Sequence, residues 1–103
     1  MRMLLRAQMS TEAGNAAFRD GTIATKLQAI LGDMKPEAVY LVPMNGKRTA
    51  LVFFDLPDVS QIPVIAEPWF LTLGAEIELT PAFTPAELGS VESALGEVVK
   101  KYG

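Results

Sequence analysis

Along the first nine residues the side chains alternate. Met3, Leu5, Ala7 and Met9 fall on one side, and Arg2, Leu4, Arg6 and Gln8 on the other. This period of two predicts a strand with one dry and one mixed face. Ser10 or Thr11 then offers an N-cap, with Glu12 in the first turn where the helix dipole favours an acid. Ile23, Leu27, Ile30, Leu31 and Met34 recur at helical spacing, which predicts one helix running to about Met34. Gly14 and Gly21 weaken its first half by about 1 kcal/mol each relative to Ala. Gly32 or Lys35-Pro36 ends it.

Residues 38–44 read as a second strand, Asn45-Gly46 as a hairpin turn, and Arg48 to Leu56 as the returning strand. That third strand is apolar on both faces: Leu51 and Phe53 on one, Ala50, Val52 and Phe54 on the other. A strand dry on both faces is covered on both. After the Leu56-Pro57-Asp58 turn, Asp58 or Ser60 caps a short helix with Pro63 in its first turn. Pro68 ends or bends that helix before Trp69-Phe70-Leu71, and Gly74 closes the segment. Ala75 to Ala82 alternates Ala75, Ile77 and Leu79 against Glu76, Glu78 and Thr80, as a fourth strand does. Thr84-Pro85-Ala86-Glu87 is a capping box with Pro at N1. The helix it starts carries one apolar stripe, Leu88, Val91, Leu95, Val98, Val99 and Tyr102, and ends on Lys100 and Lys101.

The order β-α-β-β-α-β with one extra C-terminal helix is the split βαβ, or ferredoxin-like, pattern of the α+β class. Right-handed crossovers then give an antiparallel sheet in the order 4-1-3-2. Two helices cover one face of such a sheet, so the two-sided third strand and Leu4 of the first call for a second layer. The simplest one is the same sheet from another copy. The expectation is a homodimer through the sheet face, a dimeric α+β barrel, or a higher oligomer built from it. The alternative is a monomer whose C-terminal helix folds back over the open face. One domain spans residues 1–103.

The run Lys47 to Leu56, the short helix, Glu67-Pro68-Trp69-Phe70 and Glu76-Ile77-Glu78-Leu79-Thr80-Pro81 resemble the muconolactone isomerase family. That family has a strand ending in a Phe-Asp-hydrophobic step and a proline-aromatic stretch after its second helix. The resemblance covers roughly residues 47–83, and the first half agrees in element order only. It implies membership of the dimeric α+β barrel superfamily and a small aromatic or lactone-like ligand. It also implies cofactor-free isomerisation, or oxygenation of an activated phenol. The rival reading is a non-catalytic ligand-binding or assembly module. The long capped C-terminal helix is not a feature associated with the isomerases.

Composition narrows the chemistry. The 103 residues include 9 basic and 12 acidic side chains, a formal charge of −3, which argues against nucleic acid as a partner. There is no His and no Cys, so Ser-His-Asp and Cys-His nucleophiles, structural zinc and thiolate redox chemistry fall away. Asp55 and Asp58 lack EF-hand spacing, and neither a metal nor a cofactor is expected. Met1 to Arg6 is too short and too charged for a signal core, and no window approaches the roughly 20 apolar residues of a membrane span. The lack of Cys fits a cytoplasmic protein away from membranes.

Arg6 and Glu78 lead the candidate catalytic groups. Pairing around Leu5 and Leu79 sets Arg6 nearly opposite Glu78 and Gln8 near Glu76. A carboxylate desolvated inside a barrel can serve as a general base, with the guanidinium stabilising an enolate. An ion pair that only fixes register is the more frequent arrangement. Tyr40 offers a phenol to a carbonyl or a ring to a planar substrate, against the plainer role of an amphipathic strand residue. Trp69, Phe70 and Phe18 are candidate walls of a ligand pocket between helices and sheet, against core or subunit packing, and Gln8 is a further candidate substrate-binding residue. Phe18 falls on the side of the first helix opposite the Ile23-Leu27-Met34 stripe. Arg48 beside Lys47 offers an anion site, although a solvated hairpin tip is the commoner outcome for such a pair.

Overall fold

A computed structural model describes all 103 residues. The strands are β1 (Arg2–Gln8), β2 (Ala38–Met44), β3 (Lys47–Asp55) and β4 (Glu76–Pro81). They form one antiparallel sheet ordered β2-β3-β1-β4, the 4-1-3-2 order read from its other edge. The architecture is ferredoxin-like α+β. The β2–β3 hairpin turns on Asn45 and Gly46 with φ of 54° and 70°, values that both residue types accept cheaply.

The helices depart from expectation in three places. The single helix expected from Thr11 to Met34 is two: α1 (Thr11–Arg19), capped by Ser10, and α2 (Ile23–Met34). Gly21 adopts φ +76°, and Asp20 accepts bonds from the Thr22 amide (3.0 Å) and hydroxyl (2.5 Å). These bonds, the hydroxyl first, hold the Asp20 carboxyl below the usual range. A residue-pair local turn therefore outcompetes continued helix where Gly already weakens it. Pro68 neither ends nor interrupts α3 (Ile62–Leu73), which follows a 3₁₀ turn at Val59–Gln61 capped by Asp58. Proline forfeits one bond to the carbonyl of Val64, and Val64 sits at the surface. The last helix divides at Val91 into α4 (Pro85–Ser90) and α5 (Glu92–Tyr102), with the expected capping box of Thr84 and Glu87 intact.

The core lies between the sheet and α1–α3. Met3, Leu5 and Ala7 of β1, with Met9 just beyond it, meet Ala50, Val52 and Phe54 of β3, and Ile30, Met34, Trp69 and Leu73 close over them. No helix covers the other sheet face. The C-terminal helices do not fold back over it. They stand off the body and stretch the molecule to 58 × 29 × 20 Å, with a radius of gyration of 17.2 Å against about 13 Å for a compact chain of this length. No helix is long and apolar enough to cross a membrane.

Candidate functional site

Register sorts the candidate residues onto two faces. On the open face they stand in rows across the strands: Tyr40, Leu51, Arg6 and Glu78 in one row, Val42, Thr49, Gln8 and Glu76 in the next. Arg6 stands opposite Glu78, as the alternation requires, and its Nη2 donates to Glu78 Oε1. Gln8 Nε2 donates to the Met44 carbonyl at 2.9 Å. The Arg6 and Glu78 side chains are 29% and 65% exposed, so within one chain the pair is wet and contributes less than about 1 kcal/mol. Tyr40 is exposed on the edge strand, separated from the pair by Leu51. None of these three lines one of the larger clefts.

On the helix side the aromatics part company. Trp69 is fully buried at the centre of the core, and its indole N–H has no acceptor. Phe70, the next residue on α3, faces solvent. Phe18 alone reaches a cleft. Because the chain turns at Gly21, Phe18 on α1 and Ile23 and Leu27 on α2 border the same groove rather than opposite sides of one helix.

That groove holds about 290 Å³ between α1, α2 and the outer end of the β2–β3 hairpin. Its walls are apolar: Met9, Phe18, Ile23, Leu27, Leu41 and Pro43, with Thr49 at one side. The one charged group in it is Arg48. Strand alternation puts Arg48 on the helix side, in line with Ala50 and Val52, so its side chain turns under α1 and is half-buried. It is not a solvated tip. Its Nη1 donates to Asn15 Oδ1 at 3.0 Å, and its guanidinium carbon lies 4.6 Å from the centre of the Phe18 ring. Gly14 makes the room: a Cβ there would stand 2.8 Å from Nη1. Arg48 pairs with no carboxylate, and the five ion pairs of the chain lie elsewhere.

A guanidinium held by an amide oxygen and a ring face, with no carboxylate partner, can offer its remaining N–H donors to an anion. Asn15 and Gly14, which position it, carry no signal in the sequence. No acid or base other than Arg48 lines the groove, so it is equipped to bind and orient rather than to move a proton.

No family model matches the chain, and no curated protein matches it. Among solved structures it is similar to a de novo designed protein, Ferredog-Diesel, at 10% sequence identity and a TM-score of 0.46, over 79% of this chain and 85% of that one.

Proposed function

We propose that this protein binds a small amphiphilic carboxylate, with the acidic group on Arg48 and an aromatic or other flat apolar body against Phe18, Leu27 and Leu41. The observation that carries the reading is the unpaired, positioned guanidinium at the end of an apolar groove. About 290 Å³ is near the lower edge of ligand pockets, which run from about 300 Å³, and suits one ring with a short acidic chain. The resemblance of residues 47–83 to muconolactone isomerases points to the same ligand class, a small aromatic or lactone-like compound. The absence of a second titratable group in the groove favours binding over isomerisation there. A proton shift would instead fall to Glu78 on the opposite face, whose carboxylate is solvated and already neutralised by Arg6.

Titration of the protein with cinnamate and with its uncharged amide, followed by amide chemical shifts, tests this. Cinnamate is expected to shift residues 14–27 and 41–49, and to bind at least about tenfold tighter than the amide, a difference that Arg48→Met abolishes. Equal binding of acid and amide, or shifts confined to the open sheet face, would overturn it.

A further inference from the structure

Two apolar surfaces of this chain lack a partner. One is the stripe Leu88, Val91, Leu95, Val98, Val99 and Tyr102 on the C-terminal arm, every member between 43% and 76% exposed. The other is the apolar part of the open sheet face, where Leu4, Leu51, Phe53 and Tyr40 lie side by side across β1, β3 and β2.

The arm is marginal as it stands. An isolated helix shorter than about 12–15 residues is marginal in water, and α5 has 11 residues and α4 has 6. Gly89 and Gly96 weaken both further. Nor does the arm lie back over its own sheet. Only residues 82–84 separate β4 from α4, and exposed contacts favour the observed exit. Arg2 Nη1 donates to Glu87 Oε1 at 2.5 Å and to the Ala82 carbonyl at 3.4 Å, while Thr84 and Glu87 close the capping box. Arg2 belongs to the open-face set of β1, so the arm leaves from that side of the sheet.

We propose that Pro85–Tyr102 is a clasp exchanged between two copies of this chain: each arm lays its apolar stripe across the open sheet face of the other copy. The dimensions agree. At 1.5 Å per residue the arm is about 27 Å long, enough to cross four strands spaced about 4.8 Å apart. Charge agrees as well: Lys101 at the tip and Glu76 on the β4 edge of the sheet both lack an ion-pair partner within one copy. Two-fold symmetry makes the contact reciprocal and closes the assembly at two. The sheet thus acquires the second layer its β3 strand requires, supplied in trans by a helix. The clasp does not draw on the ligand-binding reading.

The chain contains no cysteine, so single-cysteine variants report proximity directly. Leu51→Cys on the sheet and Leu95→Cys on the arm, mixed and oxidised, are expected to form a disulfide-linked dimer that neither variant forms alone. Light scattering of the unaltered chain at tens of micromolar should give twice its 11.1 kDa mass. Leu95→Glu should weaken the dimer at least about 100-fold while the emission of buried Trp69 stays unchanged. The mass of one copy, a dimer indifferent to Leu95→Glu, or Leu51→Cys linking only to itself, as two sheets face to face would, each overturns the clasp. So does exposure of Trp69 in Leu95→Glu, which would show the arm holding its own core.

Discussion

Gly14→Ala separates the stability of this fold from the readiness of its groove. In α1 the substitution favours helix by about 1 kcal/mol, because Ala loses less backbone entropy than Gly. The new methyl would lie 2.8 Å from Arg48 Nη1 and 3.4 Å from Cδ, closer than packed atoms tolerate. The obstructing atoms are the far end of a flexible side chain, so the guanidinium moves and the helix does not. Arg48 then loses its bond to Asn15 and its place over Phe18. Those contacts contribute about 0.5–1 kcal/mol for the cation on the ring and about 1 kcal/mol for a part-solvated hydrogen bond. Gain and loss nearly offset, and the urea midpoint should correspond to a change within about 1 kcal/mol. Cinnamate affinity should nevertheless fall about tenfold, with the amide unaffected. Undiminished cinnamate binding in Gly14→Ala would refute the reasoning that Arg48 is positioned for an anion by the Gly14 gap.

Three further expectations follow from the ion pairs and caps. Arg6→Ala, assayed by urea unfolding at concentrations low enough to keep single copies, should cost less than about 1 kcal/mol because Glu78 is left in water; a cost of 3 kcal/mol or more would mean the pair is buried even there. Thr84→Ala should take about 0.5–2 kcal/mol from the arm helix, read as lost helicity by circular dichroism with β4 and the core unchanged. The Glu87 carboxyl is held below its ordinary range first by the Thr84 amide and then by Arg2. A depressed folded value means the contribution is whole above about pH 4.3 and is lost as pH falls below it, so arm helicity should drop on acidification and Glu87→Gln should remove that step.

The fold was legible where hydrophobic period and turn chemistry agree. Alternation in residues 1–9 and 75–82 set both the buried face of β1 and its register against β4, since a slip of one residue would turn Ile77 and Leu79 away from the helices. Asn45-Gly46 set the hairpin. What escaped was the competition between local hydrogen bonds and helix continuity. Nothing in the periodicity of Ile23 to Met34 shows that Asp20 will bond Thr22 and end α1. Pro68 misled in the other direction, because a missing amide is tolerated on a helix that Trp69 and Leu73 anchor in the core on the following turn.

The groove was less legible than the fold for a reason of sequence distance. Arg6 and Glu78 share a face by simple alternation on two strands, so their meeting follows from pattern alone. The Arg48 site depends on residues 33 or so positions away: Asn15 as acceptor, Gly14 as gap and Phe18 as ring, all on α1. Bringing α2 to that site requires α1 to stop at Arg19, because a helix continued through Gly21 would set Ile23 and Leu27 on the side opposite Phe18. The turn at Asp20–Thr22 thus decides whether α2 supplies a wall to the groove in which Arg48 sits. Alternation supplied the one part that was readable: Arg48 shares parity with Ala50, Val52 and Phe54, the buried set of β3, and a charged residue in a buried set must either find a partner or wait for one.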